Sequence, residues 1–375
     1  MTYENVKKEP LIRIAKRPEV SPKKAMLIRF SSILVALLLG GLIILALGFN
    51  PIAVYGDIVK GSLLSGTALK ATAKIAVPLL GAALAIAPAF KMKFWNCGAE
   101  GQITVGAIVS TYFALNLVGD LPRPVFFVVT FIVSAIFGRL WGLIPAFFKA
   151  RWGTNETLFT LMLNYIAIGF VKYLRIGPWM DKGQMFPKVP MFDKAARLPE
   201  VFGVHIGWII VLALVIFIYI YMTRTKHGYE IAVVGESIST ARYSGMNVPK
   251  VIMRTMFLSG AIAGIVGWML VCGTNYTLSD STANGYGFTA IVVAWLSKLN
   301  PFVMVLISSF LAVLQKGSNT IQTNFGIPAS ASEVLTGLIL LCMLGSEFFI
   351  NYRFVFRKKT IEIFKFVVYY TIVYV

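Results

Sequence analysis

Acidic residues are scarce in this chain. Sixteen Asp and Glu stand against thirty-five Lys and Arg, and all charged residues make up only 14% of the 375. Soluble domains carry about a quarter, so the deficit excludes an ordinary water-soluble fold. Histidine and cysteine are also sparse. His205 and His227 are isolated, and Cys97, Cys272 and Cys342 lie far apart in apolar surroundings. No metal-ligand spacing and no disulfide framework can be built from them. No G-x4-G-K-[ST] occurs; "GSLLSGTA" (61–68) has the glycine spacing but no lysine. No H-E-x-x-H and no Ser/His/Asp set is present. The chain is therefore expected to bind no cofactor and to have no catalytic or metal-binding residues. Nor do carboxylates lie deep in the apolar runs, as proton-coupled transport usually requires. Those nearest, Glu100, Glu156, Asp280, Glu333 and Glu347, fall at or near the run ends.

What the sequence has instead is apolar length. Hydrophobic residues reach 57% and mean hydropathy is +0.76. Several runs approach about 20 residues, enough to cross roughly 30 Å of hydrocarbon. The net charge of +19 does not imply nucleic acid, because the basic residues are spread over loops and helix ends as membrane topology requires. Zinc spacings and aromatic-rich basic modules are both lacking. A cleavable leader is not expected, since the first apolar run begins only near Met26 and is too long for an h-region.

Residues 1–26 form a polar, basic segment. Spans are expected at about 27–48, 71–90, from the "WNCGAEGQ" motif (95–102) to 118, 125–148, 156–174, 206–223, 251–272 and 332–350. Two shorter pieces, about 287–297 and 301–315, flank "SKLNP" and read as half-helices or a re-entrant pair. The fold class is thus an all-α polytopic membrane protein, a helical bundle of about 8–10 transmembrane elements with some helices broken or re-entrant. Basic clusters at 91–93, 149–151, 224–254 and 353–359 place both termini in the cytoplasm. The 175–205 loop then lies outside, carrying five Lys/Arg against the rule, and 353–375 forms a C-terminal tail.

Three constellations carry polar chemistry. In "WNCGAEGQ", Glu100 falls in the first turn of a helix, where the helix dipole favours a carboxylate. Gly98 and Gly101 permit a tight entry or close packing. These three read as helix-entry or gating residues. Thr157, Thr160 and Asn164 recur at i, i+3, i+7 and share a helix face. They either line a polar pathway or glue helices together. The stretch 224–250 contains a short helical piece around 235–244 with Gly245 as its stop, suited to docking a cytoplasmic partner or to plain connection. Small residues at Gly138 and Gly142, and at Gly260, Gly264 and Gly267, predict close helix contacts in lipid.

Five ordered blocks, "FWNCGAEGQITVGA" (94–107), "GTNETLFTLMLNYIA" (153–167), "VVGESISTARYSGMNVPKVI" (233–252), "GYGFTAIVVAWLSKLNP" (285–301) and "FGIP" (325–328), resemble the branched-chain amino acid/ribose-type ABC importer permeases. The similarity is strongest to their nucleoside or simple-sugar subgroup and covers roughly 30–352. Cys97, where the family has an aliphatic residue, and the tail beyond Lys359 depart from it. The resemblance implies a multi-pass importer subunit of the bacterial cytoplasmic (inner) membrane, working by alternating access. Its implied partners are a cytoplasmic ABC ATPase that hydrolyses the ATP, a second permease subunit, identical or not, and an extracytoplasmic substrate-binding lipoprotein. It implies substrate-pathway residues among Asn96, Gln102, Thr157, Thr160, Asn164 and Phe288. Gly235, Glu236, Ala241, Arg242, Ser244 and Gly245 become the loop that couples to the ATPase. A stand-alone secondary transporter of small polar solutes is the alternative, separated from the first reading by its energy source.

Overall fold

The structure, a computed structural model, describes residues 12–17, 21–183, 185–327 and 329–356. In chain order, β1 (Ile12–Lys16) and α1 (Pro22–Ala46) precede α2 (Pro51–Val59), a π-helical turn at Lys60–Leu64, α3 (Gly66–Lys91), α4 (Ala99–Asn116), α5 (Arg123–Trp152) and α6 (Glu156–Ile176). Then come β2 (Glu200–Val201), β3 (Val204–His205), α7 (Gly207–Arg224), α8 (Lys226–Glu236), α9 (Ile238–Tyr243) and α10 (Val248–Met269), which runs into a second π-helical turn at Leu270–Asn275. α11 (Tyr286–Leu296), α12 (Pro301–Phe325), α13 (Ala329–Asn351) and β4 (Tyr352–Phe356) follow. Among the described residues, eight helices are long and apolar enough to cross a membrane, and α11 is a shorter apolar helix. The protein is therefore all-α and polytopic, with two small β-ribbons.

Four elements differ from the sequence expectation. α4, expected as a span, is not among the eight helices long and apolar enough to cross a membrane, because Glu100, Gln102 and Asn116 lower its hydropathy. The piece expected at 301–315 continues to Phe325 as a full-length helix. One face of its polar second half is packed, while Asn319, Gln322, Thr323 and Asn324 are exposed. Gly317 meets Ile58, Gly61 meets Thr320, and Asn324 Nδ2 donates to Asp57 Oδ2 at 2.9 Å. The helical piece around 235–244 is two helices, because Ser237 is extended (φ −157°, ψ 118°) and its Oγ accepts from the Thr240 amide at 3.2 Å. Residues Tyr352–Phe356, expected as the start of the basic tail, form a strand that pairs antiparallel with β1. The tail from 360 onward lies outside the described residues.

The chain divides into two units, Met1–Ala46 with Gly337–Val375, and Leu47–Thr336. The larger unit is built around α10, most of whose residues are buried. α10 reaches its neighbours through glycines. A methyl at Gly264 would run into the Ser134 carbonyl of α5, one at Gly138 into the Gly260 carbonyl, and one at Gly267 into the Ile103 carbonyl of α4. These obstacles are backbone and cannot swing aside. Packing at such spacing replaces the hydrophobic drive that lipid does not supply. Trp268 Nε1 and Thr130 Oγ1 close the α5 contact with a 3.0 Å hydrogen bond.

β2 and β3 carry His205 to full burial between Gly207 and Gly273. Neither ring nitrogen has a partner among the described residues. Burial pushes its pKa from 6.5 down to about 4; the nearby Lys74 adds to this and Glu200 opposes it.

Two outcomes follow. Gly264→Val should cost about 1–3 kcal/mol or more by overpacking, read as loss of the monodisperse peak in detergent size-exclusion; a wild-type profile would contradict the backbone contact. His205 stays neutral when folded but gains a proton when unfolded below pH 6.5. Its stabilisation is complete above that pH and is lost as pH falls towards 4, by up to about 3 kcal/mol. Thermal unfolding between pH 4 and 7 should show this slope, flattened in His205→Leu.

Candidate functional site

The "WNCGAEGQ" motif occupies the turn between α3 and α4. A helix that starts inside a membrane protein leaves amide N–H groups that water cannot satisfy. Here side chains satisfy part of that need. Asn164 of α6 accepts from the Gly101 amide at 2.8 Å through Oδ1 and donates to the Cys97 carbonyl at 2.8 Å through Nδ2. Asn96 Oδ1 accepts from the Gly98 amide at 3.0 Å, while its Nδ2 donates to Ser259 Oγ of α10 at 3.1 Å. Gln102 closes the set with Asn96 at 3.3 Å. Thr160 packs on Gly98, where a methyl would come within 2.9 Å of its Cβ.

Glu100 serves a second helix. Its Oε1 accepts from the Gly285 amide at 2.8 Å and its Oε2 from the Gly287 amide at 2.7 Å, so the carboxylate caps the start of α11. Gly285 is left-handed (φ +72°), and Gly287 has no room for a side chain because the Glu100 backbone lies against it. Two helix N-termini, each with positive dipole character, thus meet at one buried carboxylate. The other end of α11 is held by the same motif. Trp95 stacks on Trp295 with ring centroids 5.5 Å apart and planes at 13°, and Phe90 stands edge-on to both. Residues 95 and 100 therefore grip both ends of a helix about 16 Å long.

The second site is the α8–α9 element. Its inner face, Ile231, Val234 and Ala241, is buried in one cluster with Ala89, Met92 and Phe94 at the end of α3 and with Val248, Val251 and Met256 of α10. Gly235 lies directly against the Lys91 carbonyl. Arg254 donates to Glu230 at 2.8 Å and holds that carboxyl below the usual carboxylate range. The outer face is a ridge. Glu236, Arg242, Ser244 and Gly245 are exposed, and Tyr243 at its tip is 96% exposed. Gly245 (φ +75°) ends the ridge with open space around it.

Of the sequence-selected pathway residues, Asn96, Gln102, Thr160 and Asn164 are buried together at the α4–α6–α10 junction. Thr157 is half-buried one turn away, and Phe288 is exposed on α11. Sequence reasoning did not single out Ser259, Trp95, Trp295 or Tyr243. The doubled glycines of "GYG" mark the Glu100 contact, but nothing local marks the stacking partner two hundred residues away.

Residues 68–344 match the family described as branched-chain amino acid transport system / permease component. A glucose ABC transporter permease of Haloferax volcanii is 33% identical, over 86% of this chain and 88% of its own. A nucleoside ABC transporter permease of Lactococcus lactis subsp. cremoris is 31% identical, over 88% and 92%. A guanosine ABC transporter permease of Bacillus subtilis is 29% identical, over 86% and 93%.

The Glu100 cap carries its own test. Glu100→Gln keeps the size but turns one acceptor into a donor facing an amide, at a cost of roughly 1.5–3 kcal/mol. Deuterium exchange should rise at the start of α11 and not across α5; unchanged protection there would remove Glu100 from its capping role.

Proposed function

Because the chain belongs to the family of branched-chain amino acid transport permease components, we propose that it is the membrane subunit of an ATP-driven ABC importer for nucleosides or simple sugars. The observation that carries this reading is the near full-length similarity to glucose, nucleoside and guanosine ABC transporter permeases. Such cargo is uncharged. It calls for hydrogen bonds and stacking rather than a counter-ion, which suits a chain whose buried polar groups are mostly amides and hydroxyls. Phe288 and Thr157 face the pathway in this reading. Asn96, Gln102, Thr160 and Asn164 shape it from one layer behind by fixing where α4 begins. Gly98, Glu100 and Gly101 form the gate, since they join α4 to α11.

The subunit sits in the cytoplasmic membrane with both termini inside. Residues 1–26 are the cytoplasmic segment, 27–352 the permease domain, 175–205 the external loop and 353–375 the tail. Residues 224–250 meet a cytoplasmic ABC ATPase, which hydrolyses the ATP. A second permease subunit completes the pathway, and an extracytoplasmic lipoprotein delivers the substrate.

Coupling has a short physical route. The α8–α9 ridge is seated on the end of α3, α3 leads through three residues into the motif, and Glu100 ties the motif to α11. A shift of the ridge on ATP binding is passed on at packed contacts rather than through a flexible linker. Substrate delivery and nucleotide state then bias one another, as any coupling free energy between two sites requires.

Reconstitution with the cognate ATPase, partner permease and binding protein in liposomes should give ATP-dependent uptake of labelled guanosine or glucose. Gly245→Trp, in open space but at a left-handed φ costing about 1–2 kcal/mol, and Tyr243→Ala should assemble yet lower uptake at least about tenfold while ATP is still hydrolysed. Uptake by this chain alone, driven by a proton gradient and indifferent to ATP, would make it a secondary transporter instead.

A further inference from the structure

We propose that the cleft between α1 and α13 is a binding site for one anionic phospholipid. Both helices are long and apolar enough to cross the bilayer, over Lys23–Ala46 and Val334–Asn351. α13 passes directly into β4, and β1 ends six residues before α1. The β1–β4 ribbon therefore stands where both helices leave the hydrocarbon. Between them lies a cleft of about 470 Å³. Arg17 lines it at the ribbon end, Ser31 and Ser346 lie further in, and Val35, Cys342 and Phe349 supply apolar wall. It runs along eight residues of each helix, Ile28–Val35 and Cys342–Phe349, about 10 Å.

The chemistry of this lining is that of a phospholipid. Among the described residues of the unit, Arg13, Lys16, Arg17, Lys23, Lys24, Arg29 and Arg353 face a single carboxylate, Glu347. Arg29 already donates to Glu347 at 2.9 Å, joining the two helices. Arg17 is fixed by its backbone, whose amide donates to the Asn351 carbonyl at 2.8 Å, and its side chain is exposed. The serine hydroxyls donate to carbonyls of their own helices, Ser31 to Ile28 at 2.9 Å and Ser346 to Met343 at 2.6 Å. They make the wall polar but leave phosphate recognition to Arg17, whose planar fork suits it. The apolar wall deeper in takes the acyl chain, which a free phosphate or nucleotide would leave bare. The basic ribbon adds long-range attraction to an anionic leaflet. The site is independent of what the protein transports.

The test is native mass spectrometry of the full-length chain in detergent with equal phosphatidylglycerol and phosphatidylcholine. Wild type should retain one phosphatidylglycerol in at least about fivefold preference, the equivalent of one basic contact near an anionic surface. Arg17→Ala should abolish the preference. Gly345→Leu, which grows into open space in the cleft, should lose the bound lipid of either kind and serves also if Arg17→Ala does not fold. Millimolar inorganic phosphate should not displace the lipid. Equal retention of the two lipids, an unchanged preference in Gly345→Leu, or displacement by phosphate would each overturn the assignment.

Discussion

A backbone amide inside a membrane protein has no water to turn to, and an unpaired one costs several kcal/mol. This constraint organises the larger unit. Two helices, α4 and α11, begin within the protein rather than at its edge, and each must find acceptors for its first amides. Asn164 supplies one to α4 from a neighbouring helix, and Glu100 supplies two to α11. The polar residues that stand out in an apolar sequence are thus spent mainly on helix ends. Glu100 stands in the first turn of its own helix and at the cap of another, so its charge is complemented by two dipoles at once.

The same economy explains why glycine and not bulk holds α10 in place. If amide caps are to reach across helices, the helices must approach to backbone contact, and Gly138, Gly260, Gly264 and Gly267 allow that. The close contacts leave little slack between α4, α5 and α10. Rigid packing of this kind turns a displacement at the α8–α9 ridge into movement of whole elements, because packed interfaces switch between arrangements rather than deform smoothly. The single most exposed aromatic of the ridge, Tyr243, has no structural duty in the isolated chain, while Ala241 three positions from the Ile238 start is fully buried. One short helix therefore has a face for the bundle and a face left for something else.

Much of this was legible in the sequence, and the reasons are specific. Hydropathy marks the spans because chain composition and bilayer thickness are matched locally. The glycine rows on α5 and α10 announce close packing before any coordinates. Glu100 at a helix start could be read from its position in the motif. Its true partners could not, since the Gly285 and Gly287 amides lie nearly two hundred residues away and any glycine pair offers the same groups. Hydropathy ends the piece at about 315; the helix runs on to Phe325 with one face packed against Ile58, Gly61 and Asp57, partners that no local window contains. The break at Ser237 was hidden for the opposite reason. Serine is favoured at a cap, but 235–244 also offers Ser239 and Thr240, and only the extended backbone at Ser237 shows which residue is the cap.

The terminal unit poses the converse problem. Its helices are apolar over most of their length, so composition alone would assign α1 and α13 to bulk lipid and stop there. What separates them from plain spans is the pairing of β1 with β4, which draws two basic segments from opposite ends of the sequence to one boundary. On the register, Ile14 stands opposite Phe354 and Ala15 opposite Arg353, so apolar and basic positions alternate across the ribbon. A ribbon of that kind suits an interface between hydrocarbon and phosphate better than either medium alone. It also fixes Arg17 through the Asn351 carbonyl, so the one cation that lines the α1–α13 cleft is held there by backbone and not by a competing carboxylate. Among the described residues of the unit Glu347 is the one carboxylate and it is taken by Arg29, so the membrane is a ready source of counter-charge for that arginine.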